Sequence, residues 1–173
     1  GRDRRGRMVR AKDRLGREQV IERAPTGEPL REQDPAGGVW TRTFDPRGNK
    51  LSETTPDGAT WSYRYDDGRL VHTMLPNGGS HRVTWDAHAN IAEVVEPDGA
   101  VWRATYDYFG RQLTITDPLG IVREKVRDRA GRLVELRHDG AVVLRHAYDA
   151  LGRVAETSYP DGAVYRYEHG AHK

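Results

Sequence analysis

The sequence predicts an all-β fold of tandem antiparallel β-hairpins, about 21 residues each, running on as one continuous curved or spiralling sheet. Three observations predict it. A turn-forming group recurs at a fixed interval, a second turn group recurs midway between its copies, and the segments in between are short and alternate in polarity.

The first series opens at Asp3, Ala24, Asp45, Asp66, Asp86, Asp107, Asp128 and Asp149, spaced by 21 residues except for one step of 20. Its fullest form is Asp-x-x-Gly-Arg. The candidate turn residues are Asp45 and Gly48; Asp66, Gly68 and Arg69; Asp86; Asp107, Gly110 and Arg111; Asp128, Gly131 and Arg132; and Asp149, Gly152 and Arg153. An aspartate at the first turn position accepts a backbone N–H two residues on, and glycine supplies a positive φ without steric cost.

The second series has its glycines at Gly16, Gly37, Gly58, Gly78, Gly99, Gly120, Gly140 and Gly162. It reads Pro56-Asp57-Gly58, Pro76-Asn77-Gly78, Pro97-Asp98-Gly99 and Pro160-Asp161-Gly162, or Asp34-Pro35-Ala36-Gly37 and Asp117-Pro118-Leu119-Gly120. Proline pre-sets φ for the second turn position. The ~6–7 residues between turns are too few for a stable helix and suit a strand.

Those segments alternate as strands do. Trp61, Tyr63 and Tyr65 are expected on one face, as are Trp102, Ala104 and Tyr106, and His81, Val83 and Trp85. On the return strands, Leu70, His72 and Met74 are expected to share a face, as are Leu113 and Ile115. The expectation is about sixteen strands in about eight units covering residues 1–173. The second unit is degenerate (Ala24-Pro25-Thr26-Gly27-Glu28), the fourth is one residue short at Asp66-Asp67-Gly68, and the fifth has Ala89-Asn90 for Gly-Arg, with Asn as the αL candidate. A ninth unit opens at Tyr167, and neither end has a cap, so the array is expected to be a fragment of a longer chain. A β-propeller is the rival fold, because two units equal one blade. Neighbouring units resemble each other rather than alternating, and no Trp-Asp signature occurs.

Composition narrows the function. Hydrophobic residues are 36% and charged residues 31%, and mean hydropathy is −0.84. This is too polar for an ordinary single core. A formal net charge of +2 argues against a nucleic-acid partner, and no stretch is apolar enough to span a membrane. The basic start lacks a following apolar region, so it does not read as a signal peptide. Cysteine is absent, which excludes disulfides and thiolate metal sites.

Tyr148-Asp149-Ala150-Leu151-Gly152-Arg153-Val154 and Tyr106-Asp107-Tyr108-Phe109-Gly110-Arg111-Gln112-Leu113, each followed by a Pro-Asp-Gly-like turn, resemble the YD repeats of the RHS family. That family includes bacterial Rhs polymorphic toxins, Tc toxin C components, wall-associated proteins and teneurins. The resemblance implies a sheet spiralling into a hollow cocoon, a non-catalytic structural shell that encapsulates a C-terminal toxin domain in a secreted bacterial effector. The implied partners are the remainder of the same longer chain and secretion spike proteins, with type VI delivery to a target cell. An extracellular adhesion or carbohydrate-binding module, at the cell surface, is the alternative. The family's self-cleavage segment has its nearest match at Asp117-Pro118-Leu119-Gly120-Ile121, in register with ordinary turns.

No catalytic, cofactor or metal site is expected. Arginine follows the turn glycine in Arg7, Arg69, Arg111, Arg132 and Arg153, which opposes a calcium reading of the aspartates. These arginines are instead expected to form turn-locking clusters with the Asp and the preceding aromatic (Phe44, Tyr65, Trp85, Tyr106, Tyr148). His72, His81, His88, His138, His146, His169 and His172 show no metal-ligand spacing, although His138 and His146 flank one hairpin. No activated nucleophile is apparent.

Overall fold

The computed structural model describes residues 1–170, and His172 lies outside them. The described residues contain no helix, and none is therefore long and apolar enough to cross a membrane. Among the described residues there are sixteen strands. The first eight are β1 (Arg10–Lys12), β2 (Glu18–Arg23), β3 (Pro29–Gln33), β4 (Val39–Phe44), β5 (Lys50–Thr54), β6 (Thr60–Asp66), β7 (Arg69–Met74) and β8 (Ser80–Trp85). The others are β9 (Ile91–Val95), β10 (Val101–Tyr106), β11 (Gln112–Thr116), β12 (Val122–Arg127), β13 (Leu133–His138), β14 (Ala141–Tyr148), β15 (Val154–Ser158) and β16 (Val164–Arg166).

The strands fall into two compact units. One holds Gly1–Val83 with Glu96–Asp98, the other Thr84–Val95 with the chain from Gly99 onward. Within each unit every strand pairs antiparallel with the next in sequence, as consecutive hairpins require.

Most turns share one geometry. In the Asp107 turn, the Gly110 N–H donates to the Asp107 carbonyl at 3.0 Å, and the Asp107 N–H donates to the Arg111 carbonyl at 3.0 Å. This is a type I turn closed by a left-handed residue. Prolines 35, 56, 76, 118 and 160 occupy the second position of such turns. Two turns differ. Asp67 and Gly68 (φ 45° and 75°), and Asp139 and Gly140 (φ 50° and 78°), form two-residue turns with both central residues left-handed. Asp-Gly favours this type, which explains the short fourth unit.

A regular bulge follows the first-series turns. Tyr106 pairs Gln112 and Thr105 pairs Thr114, leaving Leu113 over. Leu30, Leu51, Val71, Val134 and Ala155 are left over in the same way. The bulge corrects one expectation. Directly paired residues share a face, so Leu70 lies with Tyr65, whereas His72 pairs Arg64 and Met74 pairs Ser62 on the opposite face. The extra residue reverses the alternation after Leu70.

No second layer covers the sheet of either unit. Ile21, 7% exposed, is the one buried hydrophobic residue among those described. On β6 and β10 the aromatic side chains are half-buried by lateral neighbours, while Ser62, Arg64, Arg103 and Thr105 behind them are exposed. Cross-strand pairs therefore carry the specificity. Lys12 faces Glu18, Glu22 faces Arg31, Arg42 faces Glu53, Glu93 faces Arg103, Glu124 faces Arg137, Glu135 faces Arg145 and Glu156 faces Arg166. Thr43–Ser52, Thr54–Thr60 and Thr105–Thr114 add hydroxyl bonds of 2.6, 3.0 and 2.7 Å.

Candidate functional site

The repeated turn is the most elaborate local structure in the chain. In the Asp107 turn, Oδ1 accepts the N–H groups of Phe109 and Arg111, both at 2.9 Å, and Oδ2 accepts the Arg111 Nε–H at 2.7 Å. Arg132 with Asp128 and Arg153 with Asp149 repeat that side-chain bond at 2.8 Å, and Arg7 with Asp3 and Arg17 with Asp13 at 2.7 Å. One carboxylate thus satisfies two amides the turn would otherwise leave free and anchors the strand that follows.

The position four residues after the aspartate needs an N–H donor rather than arginine as such. Asn49 Nδ2 reaches Asp45 Oδ2 at 2.8 Å, and Asn90 Nδ2 reaches Asp86 Oδ2 at 2.9 Å. Asn49 was not among the sequence candidates, and Asn90 was one for the left-handed position alone; a recurring amide or guanidinium donor at that offset was the available signal. In the fifth unit, Ala89 (φ 66°) takes the left-handed position, and Asn90 serves as the donor instead. Asp66, Gly68 and Arg69 sit in a two-residue turn, where Arg69 stands directly opposite Asp66.

Some of the second turns cap from the first position, as Asp13 and Asp34 do, and others place the cap differently. Asn77 Oδ1 accepts the Gly79 N–H at 3.0 Å and Asp161 Oδ1 the Ala163 N–H at 2.9 Å, both from the third turn position. Asp117 caps Leu119 and Ile121 at 2.9 and 3.0 Å, so the residue nearest a self-cleavage match serves as an ordinary turn cap.

These bonds set the carboxylate electrostatics. In Asp128, Asp13, Asp45 and Asp86 the side-chain bond from the fourth residue on is the largest influence, and it holds each carboxyl below the ordinary 3.8. In Asp149 the Arg153 backbone N–H leads. In Asp107 and Asp3, desolvation pushes upward most strongly, yet the combined bonds from Arg111 and Arg7 keep each value lowered.

Adjacent turns are also connected. A Cβ on Gly131 would stand 1.4 Å from Arg111 Nη1, and one on Gly27 2.0 Å from Arg7 Nη1. Each of these guanidiniums therefore covers the glycine of the following first-series turn. Arg132 lies over the Tyr148 ring at 4.5 Å, and the Tyr148 hydroxyl donates back to the Leu133 carbonyl at 2.6 Å. The aromatic partner of Arg132 comes from the next unit, whereas Arg111 lies 5.0 Å from Phe109 of its own turn. Where an arginine replaces the aromatic before the turn, it donates to the turn glycine carbonyl: Arg2 to Gly6 at 2.6 Å, Arg23 to Gly27 at 3.1 Å and Arg127 to Gly131 at 3.1 Å.

The aromatic-bearing face has its own polar chain in the first unit. Gln19 bonds Glu32 at 2.9 Å, and Arg42 links Glu32 at 3.3 Å with Glu53 at 3.1 Å. Glu53 also pairs Lys50, whose ammonium lies 4.9 Å from the Tyr63 ring centroid. Lys50, then Arg42, lowers the Glu53 carboxyl, and Glu53 raises Lys50. In the second unit, Val94, Trp102, Ala104, Tyr106, Gln112 and Ile115 line a shallow, mostly apolar open groove.

His146 does not approach His138. Its Nδ1 bonds the Thr157 hydroxyl at 2.9 Å, and His138 pairs Ala141. No group of three or more metal-ligating side chains occurs among the described residues.

Comparison with known proteins gives a consistent result. The teneurin YD-shell family model matches residues 36–173. A crystal structure of TcdB2-TccC3 without its hypervariable C-terminal region superposes with a TM-score of 0.74 at 16% identity, over 96% of this chain and 10% of that one. A crystal structure of TcdB2-TccC3-TEV gives 0.72 at 16% identity with the same coverage, and one of TcdB2-TccC3-Cdc42 gives 0.54 at 13%, over 90% of this chain and 12% of that one. The chain thus spans about a tenth of the solved chains it matches, and at these identities the likeness speaks for the fold. A search of the curated proteins gives no match.

Proposed function

Since the chain belongs to the teneurin YD-shell family, we propose that it is a length of non-catalytic shell wall, and that the wall encloses a C-terminal toxin domain in a secreted bacterial effector. The observation that carries this reading is the single layer. Sixteen strands and their locked turns bury almost no core, so the ordered product is surface itself. Each unit has a half-buried aromatic face, with Trp61 and Tyr63 in one and Trp102 and Tyr106 in the other, that suits contact with an enclosed polypeptide. The partners under this reading are the rest of the same longer polypeptide and the spike proteins that deliver it, with type VI secretion as the route.

Limited proteolysis of the full-length product tests the proposal. The downstream domain should resist protease in the intact particle and become sensitive once turn-breaking substitutions open the wall. A downstream domain cleaved equally fast in both would overturn it.

One observation favours the adhesion or carbohydrate-binding alternative. Tyr108 and Phe109 project from their turn 80% and 77% exposed, and His88 packs edge-on against Tyr108 at 5.9 Å. Glycan-array binding that disappears in Tyr108→Ala with Phe109→Ala would favour that reading over encapsulation.

A further inference from the structure

Arginine stands opposite histidine in two places, Arg123 against His138 on β12 and β13, and Arg64 and Arg82 on either side of His72. Within each unit, every directly opposed pair of Asp or Glu, Lys or Arg strand residues is of opposite sign. Across β6, β7 and β8, however, Arg64 faces His72 and His72 faces Arg82. The three side chains stand in one row on the face turned away from Tyr63 and Tyr65. Arg64 and Arg82 are exposed and His72 is half-buried. None of the three has a side-chain hydrogen bond, ion pair or ring contact among the described residues. The nearest carboxylate along β6 on that face, Asp66, is itself opposite Arg69.

The two arginines, on alternate strands, put two positive charges on this face with a histidine and no carboxylate between them. Adjacent strands lie ~4.8 Å apart, so the two arginines flank the imidazole at a separation of about 10 Å between backbones. Both long side chains can converge above the imidazole from opposite sides. The adjoining row on the same face is Ser62, Met74 and Ser80, again in direct register. Two guanidiniums, an imidazole and two hydroxyls therefore border one patch. Guanidinium forks match the paired oxygens of phosphate and sulfate, and a hydroxyl can donate to a third oxygen.

We propose that Arg64, His72 and Arg82, with Ser62 and Ser80 beside them, form a binding site for a tetrahedral oxyanion, a phosphate or sulfate group. The site goes beyond the shell reading and does not depend on it.

Titration of the purified chain with inorganic phosphate and with inorganic sulfate, at constant ionic strength set by chloride, tests the proposal. The His72 ring resonances should move saturably, and the melting temperature should rise with the added anion. Arg64→Gln and Arg82→Gln should each weaken binding about tenfold. Arg103→Gln, which removes an arginine already paired with Glu93 at 2.9 Å, should leave it unchanged. Phosphatidate vesicles separate the sources of the group: binding both vesicles and free ions places recognition in the oxyanion itself, whereas vesicle binding with no response to either free ion would overturn the site. An unmoved His72, or a response that persists fully in Arg64→Gln and Arg82→Gln, would also overturn it.

Discussion

The Arg132 guanidinium lies 4.5 Å from the centre of the Tyr148 ring while donating to Asp128 at 2.8 Å, so one side chain secures its own turn and the start of the next. Tyr148 returns the connection through its hydroxyl to Leu133. The Tyr148→Phe variant should lose ~1 kcal/mol, the value of one hydrogen bond. A double-mutant cycle between Arg132→Ala and Tyr148→Phe leaves the stack intact in one arm, so Tyr148→Leu is the better partner. It should give a coupling of about 0.5–1 kcal/mol. Chemical denaturation measures both, and additivity would mean the stack contributes nothing.

Gly131 and Gly58 separate conformational from steric cost. Both have a left-handed backbone (φ 84° and 86°), but only Gly131 lies under a guanidinium. Gly58→Ala should cost ~1–2 kcal/mol for the left-handed conformation alone. Gly131→Ala should cost more, because Arg111 must also move. Removing that side chain with Arg111→Ala should bring the penalty of Gly131→Ala back to that of Gly58→Ala.

Ala89 presents the reverse case. It is exposed and left-handed at φ 66° where six other first-series turns carry glycine. Ala89→Gly should therefore stabilise the chain by about 1 kcal/mol, read as a raised melting temperature. An unchanged or lowered melting temperature would show that the alanine is not strained.

Acid should weaken the array through its turns. The carboxyls of Asp13, Asp45, Asp86, Asp128 and Asp149 are lowered in the folded chain. A lowered carboxyl adds stability that is complete above its unfolded value and is lost as pH falls through the folded one. The melting temperature should hold level above about pH 5 and fall below it. Asp128→Asn with Asp149→Asn should flatten that decline; an equally steep one would place the acid sensitivity elsewhere.

The period, the hairpin order and the turn chemistry were legible because glycine, proline and aspartate mark turns locally. Less legible was whatever depended on the neighbouring strand. The bulge at Val71 moved His72 and Met74 to the face opposite Leu70, and nothing in β7 alone announces it. Ala89 took the left-handed position assigned to Asn90, because the amide was needed by Asp86. The turn of Arg132 has Arg127 where other turns carry an aromatic, and its aromatic partner, Tyr148, comes from the next unit. The Glu32–Arg42–Glu53 chain spans three strands, so spacing within any one of them carries no trace of it.

Within each unit, strand contacts connect only neighbours in sequence. A ribbon of this kind has no distant segment to wait for. Each new hairpin can zip onto the one before it as synthesis proceeds, and loop-closure entropy stays small at every step. An error in one hairpin is then met by the next as a misplaced edge, so accuracy at the growing end matters more than collapse of the whole.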